Sequence, residues 1–243
     1  NLYRHEWISL RIFQAFVGDS TDDAWLQRLI EPTAFDDACW LAAGRLLRDG
    51  LDPAARSSKP FAILPPLARA VAWLVLTHHR LPVMPVEDGK GGHRWLGVKV
   101  PDFRSEQLTN LLERVDADWN ELAGTPDRAA VEAYWQFPHG LPVTVSAWRK
   151  RAARIARRLL EQQRAAPALD WCADPFVMHL SRLSLMLADH HYSSLTDKSE
   201  REQGEKGYPL FANTRRDTGA RNQTLDEHLL GVTKHAGVIN HAL

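Results

Sequence analysis

Apolar residues recur at helical spacing along nearly the whole chain of 243 residues. In the first segment, His5, Ile8, Ile12, Phe13 and Phe16 follow the three- and four-residue intervals that place side chains on one face of a helix. No segment shows convincing strand alternation, and no motif repeats at a fixed interval. The sequence therefore predicts a single all-α domain over residues 1–243 with two long inserted loops.

Capping residues and proline mark where the predicted helices begin and end. Asp174 and Pro175 suit the start of one helix, Ser146 suits the start of another, and Thr224 with Glu227 forms a capping-box pattern. The two inserted loops are predicted over residues 83–94 and 196–222. The predicted helices span residues 3–17, 22–30, 35–48, 65–79, 105–115, 118–123, 127–135, 146–165, 175–191 and 224 onward.

Composition narrows the class of protein. Thirty basic and thirty acidic residues give a formal net charge of zero, which argues against coating nucleic acid by bulk electrostatics. Two cysteines cannot build a disulfide framework or a cysteine-rich zinc site, so we expect a reducing compartment, with the cytoplasm as the default location. The longest apolar run, residues 70–76, is far shorter than the ~20 residues of a membrane span, so we expect no membrane association.

Histidines stand at the end of one apolar helix. His78 and His79 precede Pro82, where the helix must stop. Imidazole is a common ligand of divalent transition metals. A pair of histidines at this position is more often a C-terminal cap that interacts with the helix dipole. Both interpretations are open at this point.

Asp189 closes another apolar helix, on the same stripe as Met178 and Leu185. Burial and the negative end of the helix dipole both disfavour a charged carboxylate there unless a cation compensates. That cation is either a bound metal or Arg182. His5 and His228 also lie on predicted apolar stripes. One such histidine is typical of a packed core, but convergence of several on a shared metal would remove the penalty of burying them.

Residues 148–158 form a strongly basic helical segment. Its cations at Lys150, Arg151, Arg154, Arg157 and Arg158 are predicted to share one face. That face either tracks a phosphate backbone or is a solvated surface balanced by acidic neighbours.

Four ordered motifs resemble those of a known family, the HD nuclease domain of the CRISPR-associated helicase-nuclease of type I systems, with the type I-F subtype as the nearest pattern. The resemblance spans essentially the whole chain. The motifs are Arg4-His5-Glu6-Trp7, Thr77-His78-His79-Arg80-Leu81-Pro82, Ala188-Asp189-His190-His191-Tyr192-Ser193-Ser194 and Leu225-Asp226-Glu227-His228-Leu229-Leu230.

The resemblance implies an HD-type helical bundle that binds one or two divalent transition metal ions and cuts single-stranded DNA. Histidine ligands with few carboxylates favour Mn, Fe, Co, Ni or Zn. By resemblance, Ser193 and Ser194 contact the DNA, and Arg149 and Arg154 of the basic segment are the candidate phosphate-binding cations. The metal ligands implied are His5, His78, His79, Asp189 and His228, with His78, His79 and Asp189 essential for catalysis.

The His-Asp dipeptide that names the family, normally followed by Gly-Lys, occurs nowhere in this sequence. By resemblance it would precede Asn1, so we expect a domain that is incomplete at its N-terminus and that holds metal poorly or not at all. The resemblance also implies a helicase after Leu243, an RNA-guided surveillance complex and adaptation proteins as partners, and phage inhibitors that dock on the assembly. The alternatives are an HD-type nucleotide phosphohydrolase and a non-catalytic helical interaction module.

Overall fold

The computed structural model describes residues 3–31, 41, 44–79, 85–87, 93–95, 112–113, 115–117, 127–166, 169–215 and 217–242. These residues are mostly helical, which confirms the all-α prediction. Two strands, β1 (Pro85–Glu87) and β2 (His93–Trp95), accompany the helices. The α-helices among them are α1 (His5–Val17), α2 (Asp22–Ile30), α3 (Pro53–Ser57), α4 (Pro66–Thr77), α5 (Arg128–Tyr134), α6 (Ser146–Ala165), α7 (Pro175–Ser194) and α8 (Leu225–Ala242).

The first of the two predicted loops contains secondary structure. Strands β1 and β2 pair antiparallel, with Val86 opposite Arg94, so the prediction of a loop over residues 83–94 is wrong for residues 85–87, 93 and 94. Strands of three residues are too short to show the alternation that marks a strand in a sequence.

The predicted helix over residues 35–48 is wrong at its end. Residues 44–48 are not helical, and Gly44 has a φ of 69°, in the left-handed region that terminates helices. Residues 35–40 and 42–43 lie outside the described residues, as do residues 118–123 and most of 105–115.

Helix starts test the capping predictions. Asp174 accepts hydrogen bonds from the amides of Phe176 and Val177 at 2.9 and 3.1 Å, which confirms it as the cap of α7. Ser146 is the first residue of α6 and not its cap. The predicted capping box at Thr224 is also wrong, because the Glu227 carboxylate contacts Tyr192 and Arg201.

Two compact units divide the chain. The first comprises residues 1–22, 40–136 and 168–179. In it α1 packs against α4. The buried Asp22 carboxylate accepts hydrogen bonds from the amides of Leu67 and Ala68, at 2.9 and 3.0 Å, and so caps the start of α4.

Helix α1 does not bury the stripe that its apolar spacing predicts. Ile8 and Ile12 are only half-buried, whereas Trp7 and Arg11 are buried. The reason is Asp49, which is 3% exposed and accepts hydrogen bonds at 2.8 Å from Trp7 Nε1 and from two nitrogens of Arg11. The face of α1 that carries an arginine therefore turns inward to meet a carboxylate.

The backbone at Asp49 completes this network. Its carbonyl oxygen accepts hydrogen bonds from Tyr3 Oη at 2.5 Å and from Trp135 Nε1 at 3.1 Å. Gly50 follows with a φ of 82°, and a side chain there would meet Tyr3 Oη. The network thus fixes the N-terminal half of α1 against the segment before α3.

The second unit comprises residues 23–39, 137–167 and 180–243 and contains α6, most of α7 and α8. Tyr192 is fully buried in its core with Ala188 and Val232. The Tyr192 ring lies against Gly231 so closely that a Cβ there would come within 1.9 Å of Tyr192 Cε2. Small residues on α8 therefore allow this contact between α7 and α8.

The second predicted loop, residues 196–222, folds back on itself. Two antiparallel bridges, Phe211 with Thr224 and Thr214 with Arg221, align the segment before Arg215 with the segment before α8. In the described part of the chain, none of the helices combines the length and the apolar character that a membrane crossing requires.

Candidate metal centre

Three predicted ligands meet in the first unit. One donor atom from each of His5, His78 and His79 lies within 4.8 Å of the other two. The ring centroids are 5.6 Å apart for His5 and His78, 4.9 Å for His5 and His79, and 4.1 Å for His78 and His79. Three imidazoles in this arrangement form a donor set that suits a transition metal.

The packing of α1 against α4 positions this cluster. His5 is the first residue of α1, and His78 and His79 follow the last residue of α4. His78 is the C-cap residue of α4, so the capping interpretation of the sequence also holds for it. Its Nδ1 lies 2.7 Å from the Val75 carbonyl oxygen, which can only accept, so Nδ1 carries a proton and Nε2 is the nitrogen left to bind a metal in the neutral ring.

The burial of these histidines differs from the prediction. The His5 side chain is 66% exposed, so its assignment to a core-facing stripe is wrong. His79 is exposed and His78 is half-buried. The cluster therefore opens to solvent, which a site acting on a large substrate requires.

The buried carboxylate of Glu6 lies beside the His5 ring. Glu6 Oε2 lies 3.6 Å from His5 Nδ1, and Glu6 Oε1 accepts a hydrogen bond from Arg4 at 3.0 Å. Burial alone would raise the pKa of the Glu6 carboxyl, but the bonds from Arg4 and from its own amide, with the charge of His5, hold that pKa below its ordinary value. A charged Glu6 favours a cation beside His5.

In the second unit, α7 and α8 bring two further predicted ligands together. His228 Nε2 lies 2.9 Å from Asp189 Oδ1, and the two side chains are 12% and 13% exposed. The sequence predicted that Asp189 is nearly buried and needs a cation, either a metal or Arg182, and the structure adds His228 as a direct partner. Burial lowers the pKa of Arg182.

Sequence reasoning missed the residue behind His228. Gln223 is fully buried, and its Oε1 lies 3.0 Å from His228 Nδ1. The two residues are five positions apart and belong to a loop and a helix, so no helical spacing relates them.

The predicted DNA contacts lie on two helices. On α7, Ser193 is half-buried, and the Ser194 hydroxyl donates to the His191 carbonyl oxygen at 2.7 Å. On α6, Arg154 is exposed and Arg149 is half-buried.

Arg151 does not belong to the exposed basic face predicted for it. Its guanidinium donates to the Leu230 carbonyl oxygen and lies 3.6 Å from Glu202. The remaining cations of that face, Lys150, Arg154, Arg157 and Arg158, are exposed.

No family model matches this chain. Two relatives do. The CRISPR-associated nuclease/helicase Cas3 subtype I-F/YPEST of Pseudomonas aeruginosa is 45% identical over 240 residues, which are 96% of this chain and 20% of that protein. The protein of the same description from Pectobacterium atrosepticum is 37% identical over 250 residues, 99% of this chain and 21% of that protein.

The chain is homologous to one segment of the subtype I-F Cas3 nuclease/helicases. This confirms the resemblance drawn from the four motifs. The chain spans about a fifth of the length of these Cas3 relatives. Identity at this level over nearly the whole chain implies a shared fold. The names of these relatives describe whole proteins that are about five times as long as this chain.

Proposed function

We propose that this chain is the metal-dependent nuclease part of a CRISPR-associated nuclease/helicase and that it hydrolyses phosphodiester bonds of single-stranded DNA. The observation that carries the proposal is the convergence of His5, His78 and His79 on one point. Two nitrogen ligands of one ion lie about 3–4 Å apart, and the three donor atoms of this cluster lie within 4.8 Å of one another. The homology to nucleases supports the same conclusion.

The donor set fits one or two divalent transition metal ions, Mn, Fe, Co, Ni or Zn, because imidazole dominates it. His5, His78 and His79 would hold an ion in the first unit, and Asp189 and His228 would hold an ion in the second. A bound ion of this kind supplies Lewis-acid activation of water and of the phosphate ester. Glu6 and the Val75 carbonyl oxygen orient the ligands on the protein side.

The exposed basic face of α6 would bind the phosphates of the substrate. Arg154, with Lys150, Arg157 and Arg158, presents a row of cations to solvent, and such rows bind the backbone without reading the sequence. Ser193 and Ser194 are assigned the same role by resemblance, and Arg149 is assigned it because it belongs to the same basic segment as Arg154. The full protein would act with an RNA-guided surveillance complex and adaptation proteins and would be a target of phage inhibitors.

The test uses the full-length protein that contains this chain. We expect cleavage of labelled single-stranded DNA with Mn²⁺, Co²⁺, Ni²⁺, Fe²⁺ or Zn²⁺ and none after chelation. His78→Ala, His79→Ala and Asp189→Ala should each abolish cleavage, whereas His241→Ala, at an exposed position near the end of α8, should not.

Two outcomes would overturn the proposal. Turnover of nucleoside phosphates without cleavage of DNA would assign a nucleotide phosphohydrolase. Absence of stoichiometric metal in elemental analysis, with no cleavage of DNA or of nucleoside phosphates, would leave a non-catalytic helical interaction module. Independently, full cleavage activity in all three alanine variants would refute the assignment of these ligands.

A further inference from the structure

The side chain and the backbone amide of Gln223 make four hydrogen bonds. Its Nε2 donates to the Tyr192 carbonyl oxygen at 2.7 Å, and its backbone amide donates to Asn213 Oδ1 at 3.2 Å. Its Oε1 accepts from Asn213 Nδ2 at 2.9 Å and lies 3.0 Å from His228 Nδ1. The side chain is 0% exposed, so no solvent competes for these bonds.

Backbone groups fix the orientation of both amides. A carbonyl oxygen can only accept, so the end of Gln223 that faces Tyr192 must be the nitrogen. A backbone amide can only donate, so the end of Asn213 that faces the Gln223 amide must be the oxygen. The atom that faces His228 is therefore an oxygen, and it also accepts from Asn213.

This orientation determines which nitrogen of His228 can serve as a ligand. Because Gln223 Oε1 is an acceptor, His228 Nδ1 must carry a hydrogen to bond with it. His228 Nε2 lies 2.9 Å from Asp189 Oδ1, which also accepts, so Nε2 donates to this carboxylate when no ion is present, and a bound ion would take the place of that hydrogen. The acceptor on one side of the ring thus directs the other side towards the second predicted ligand.

We propose that Gln223 is a positioning residue that holds His228 with Nδ1 protonated, so that Nε2 and Asp189 face the same ion. The ligand role of His228 rests on the proposed function, whereas the Gln223 contact does not. Partners of this kind fix the tautomer and the ring plane of a metal-ligating histidine. Asparagine at position 223 would be one methylene too short to bridge Tyr192 and His228.

The fold of the loop delivers Gln223 to this place. The Ala212 amide donates to the Gln223 carbonyl oxygen at 2.9 Å, and the Asn222 amide donates to the Asn213 carbonyl oxygen at 3.1 Å. These bonds flank the Asn213 and Gln223 side chains and hold them side by side. The loop before α8 therefore contributes to the candidate site through the side-chain amide of Gln223, which contacts His228.

The first experiment needs no substitution. Nuclear magnetic resonance of isotope-labelled histidine nitrogens in the Zn²⁺-loaded full-length protein should show His228 coordinated through Nε2, with a protonated Nδ1 that exchanges slowly with solvent. In the metal-free protein at mildly acidic pH, the same slowly exchanging Nδ1 proton should be present. Coordination through Nδ1, or a rapidly exchanging Nδ1 proton in the metal-free protein, would overturn the proposal.

Two substitutions separate positioning from mere packing. Gln223→Met removes both the donor to Tyr192 and the acceptor for His228, whereas Gln223→Glu replaces the donor by a carboxylate oxygen and keeps the acceptor for His228. A packing role predicts that both variants behave alike. The positioning role predicts that only Gln223→Met loses the slow Nδ1 proton and that its affinity for Zn²⁺ at the Asp189 pair falls about 10- to 100-fold.

Gln162→Met, the same change at an exposed position of α6, is the matched control and should leave both readouts unchanged. Zn²⁺ affinity of the His5, His78 and His79 cluster should be the same in all variants. If the wild-type protein binds no Zn²⁺, the proposed function fails. The role of Gln223 is still decided in that case by whether the His228 Nδ1 proton exchanges slowly in the metal-free wild type and in Gln223→Glu. Loss of that proton in Gln223→Glu as well would refute it.

Discussion

Replacing Asp49 by alanine tests the central network of the first unit. The Arg11 side chain is 0% exposed, and Asp49 accepts two of its hydrogen bonds at 2.8 Å. Arg11 keeps its bonds to Gln14, Ser58 and the Ala55 carbonyl oxygen, but among the residues that the structure describes no other carboxylate pairs with its charge. Removing one partner of a buried ion pair costs about 3–5 kcal/mol, so we expect Asp49→Ala to lower the free energy of unfolding by that amount.

The loss should come from the side chain and not from the backbone at this position. The Asp49 carbonyl oxygen still accepts from Tyr3 and Trp135 in the variant. The matched control is Asp52→Ala, three residues on, where the pair with Arg48 is partly exposed and the two side chains are 27% and 47% exposed. Exposed pairs contribute about 0–1 kcal/mol, so this control should unfold almost like the wild type.

Urea unfolding followed by circular dichroism measures both variants. The single variant Arg11→Met and the double variant Asp49→Ala with Arg11→Met complete a thermodynamic cycle. Because no charge remains buried in the double variant, we expect it to be no less stable than Asp49→Ala alone. Strict additivity of the two single losses, or a loss of less than about 1 kcal/mol for Asp49→Ala, would refute the reasoning.

The remaining predictions concern the second unit. Gly231→Ala should lower the free energy of unfolding by at least about 1–3 kcal/mol, because its Cβ would overlap the buried Tyr192 ring. Gly237→Ala on the same helix meets no atom within 4 Å and should stabilise α8 in the same urea assay, and the reverse order would contradict the packing argument. Burial raises the pKa of Tyr192 to about 12, so the folded state keeps the phenol proton. The neutral Tyr192 phenol makes its full contribution to the free energy of unfolding below the unfolded pKa of about 10. That contribution is lost as the pH rises from about 10 through 12. Tyr192→Phe should therefore remove a late step from an absorbance titration of phenolate, and loss of a step near pH 10 instead would contradict the assignment.

Local signals explain which parts of the fold could be predicted. The start of α7 follows from Asp174 and Pro175, because a cap acts on amides two and three residues away. The inward face of α1 could not be predicted from its apolar spacing. It depends on Asp49, 38 residues from Arg11, and no local spacing relates these two residues.

The ligand types of the candidate site could be predicted from the sequence, and their surroundings could not. Histidine and aspartate stand out in a sequence because their side chains are the ligands that transition metals prefer. The groups that orient them here are largely backbone atoms, the Val75 carbonyl oxygen behind His78 and the Tyr192 carbonyl oxygen behind Gln223.

Backbone carbonyl oxygens are the same in every residue, so no motif records them. Gln223 lies only five positions before His228, yet its role depends on a carbonyl oxygen of α7 and on the bridges that align residues 211–214 with 221–224. From the sequence alone, a glutamine in that loop is expected to be exposed to solvent. The orientation of a ligand is therefore a property of the fold, even where the identity of the ligand is a property of the sequence.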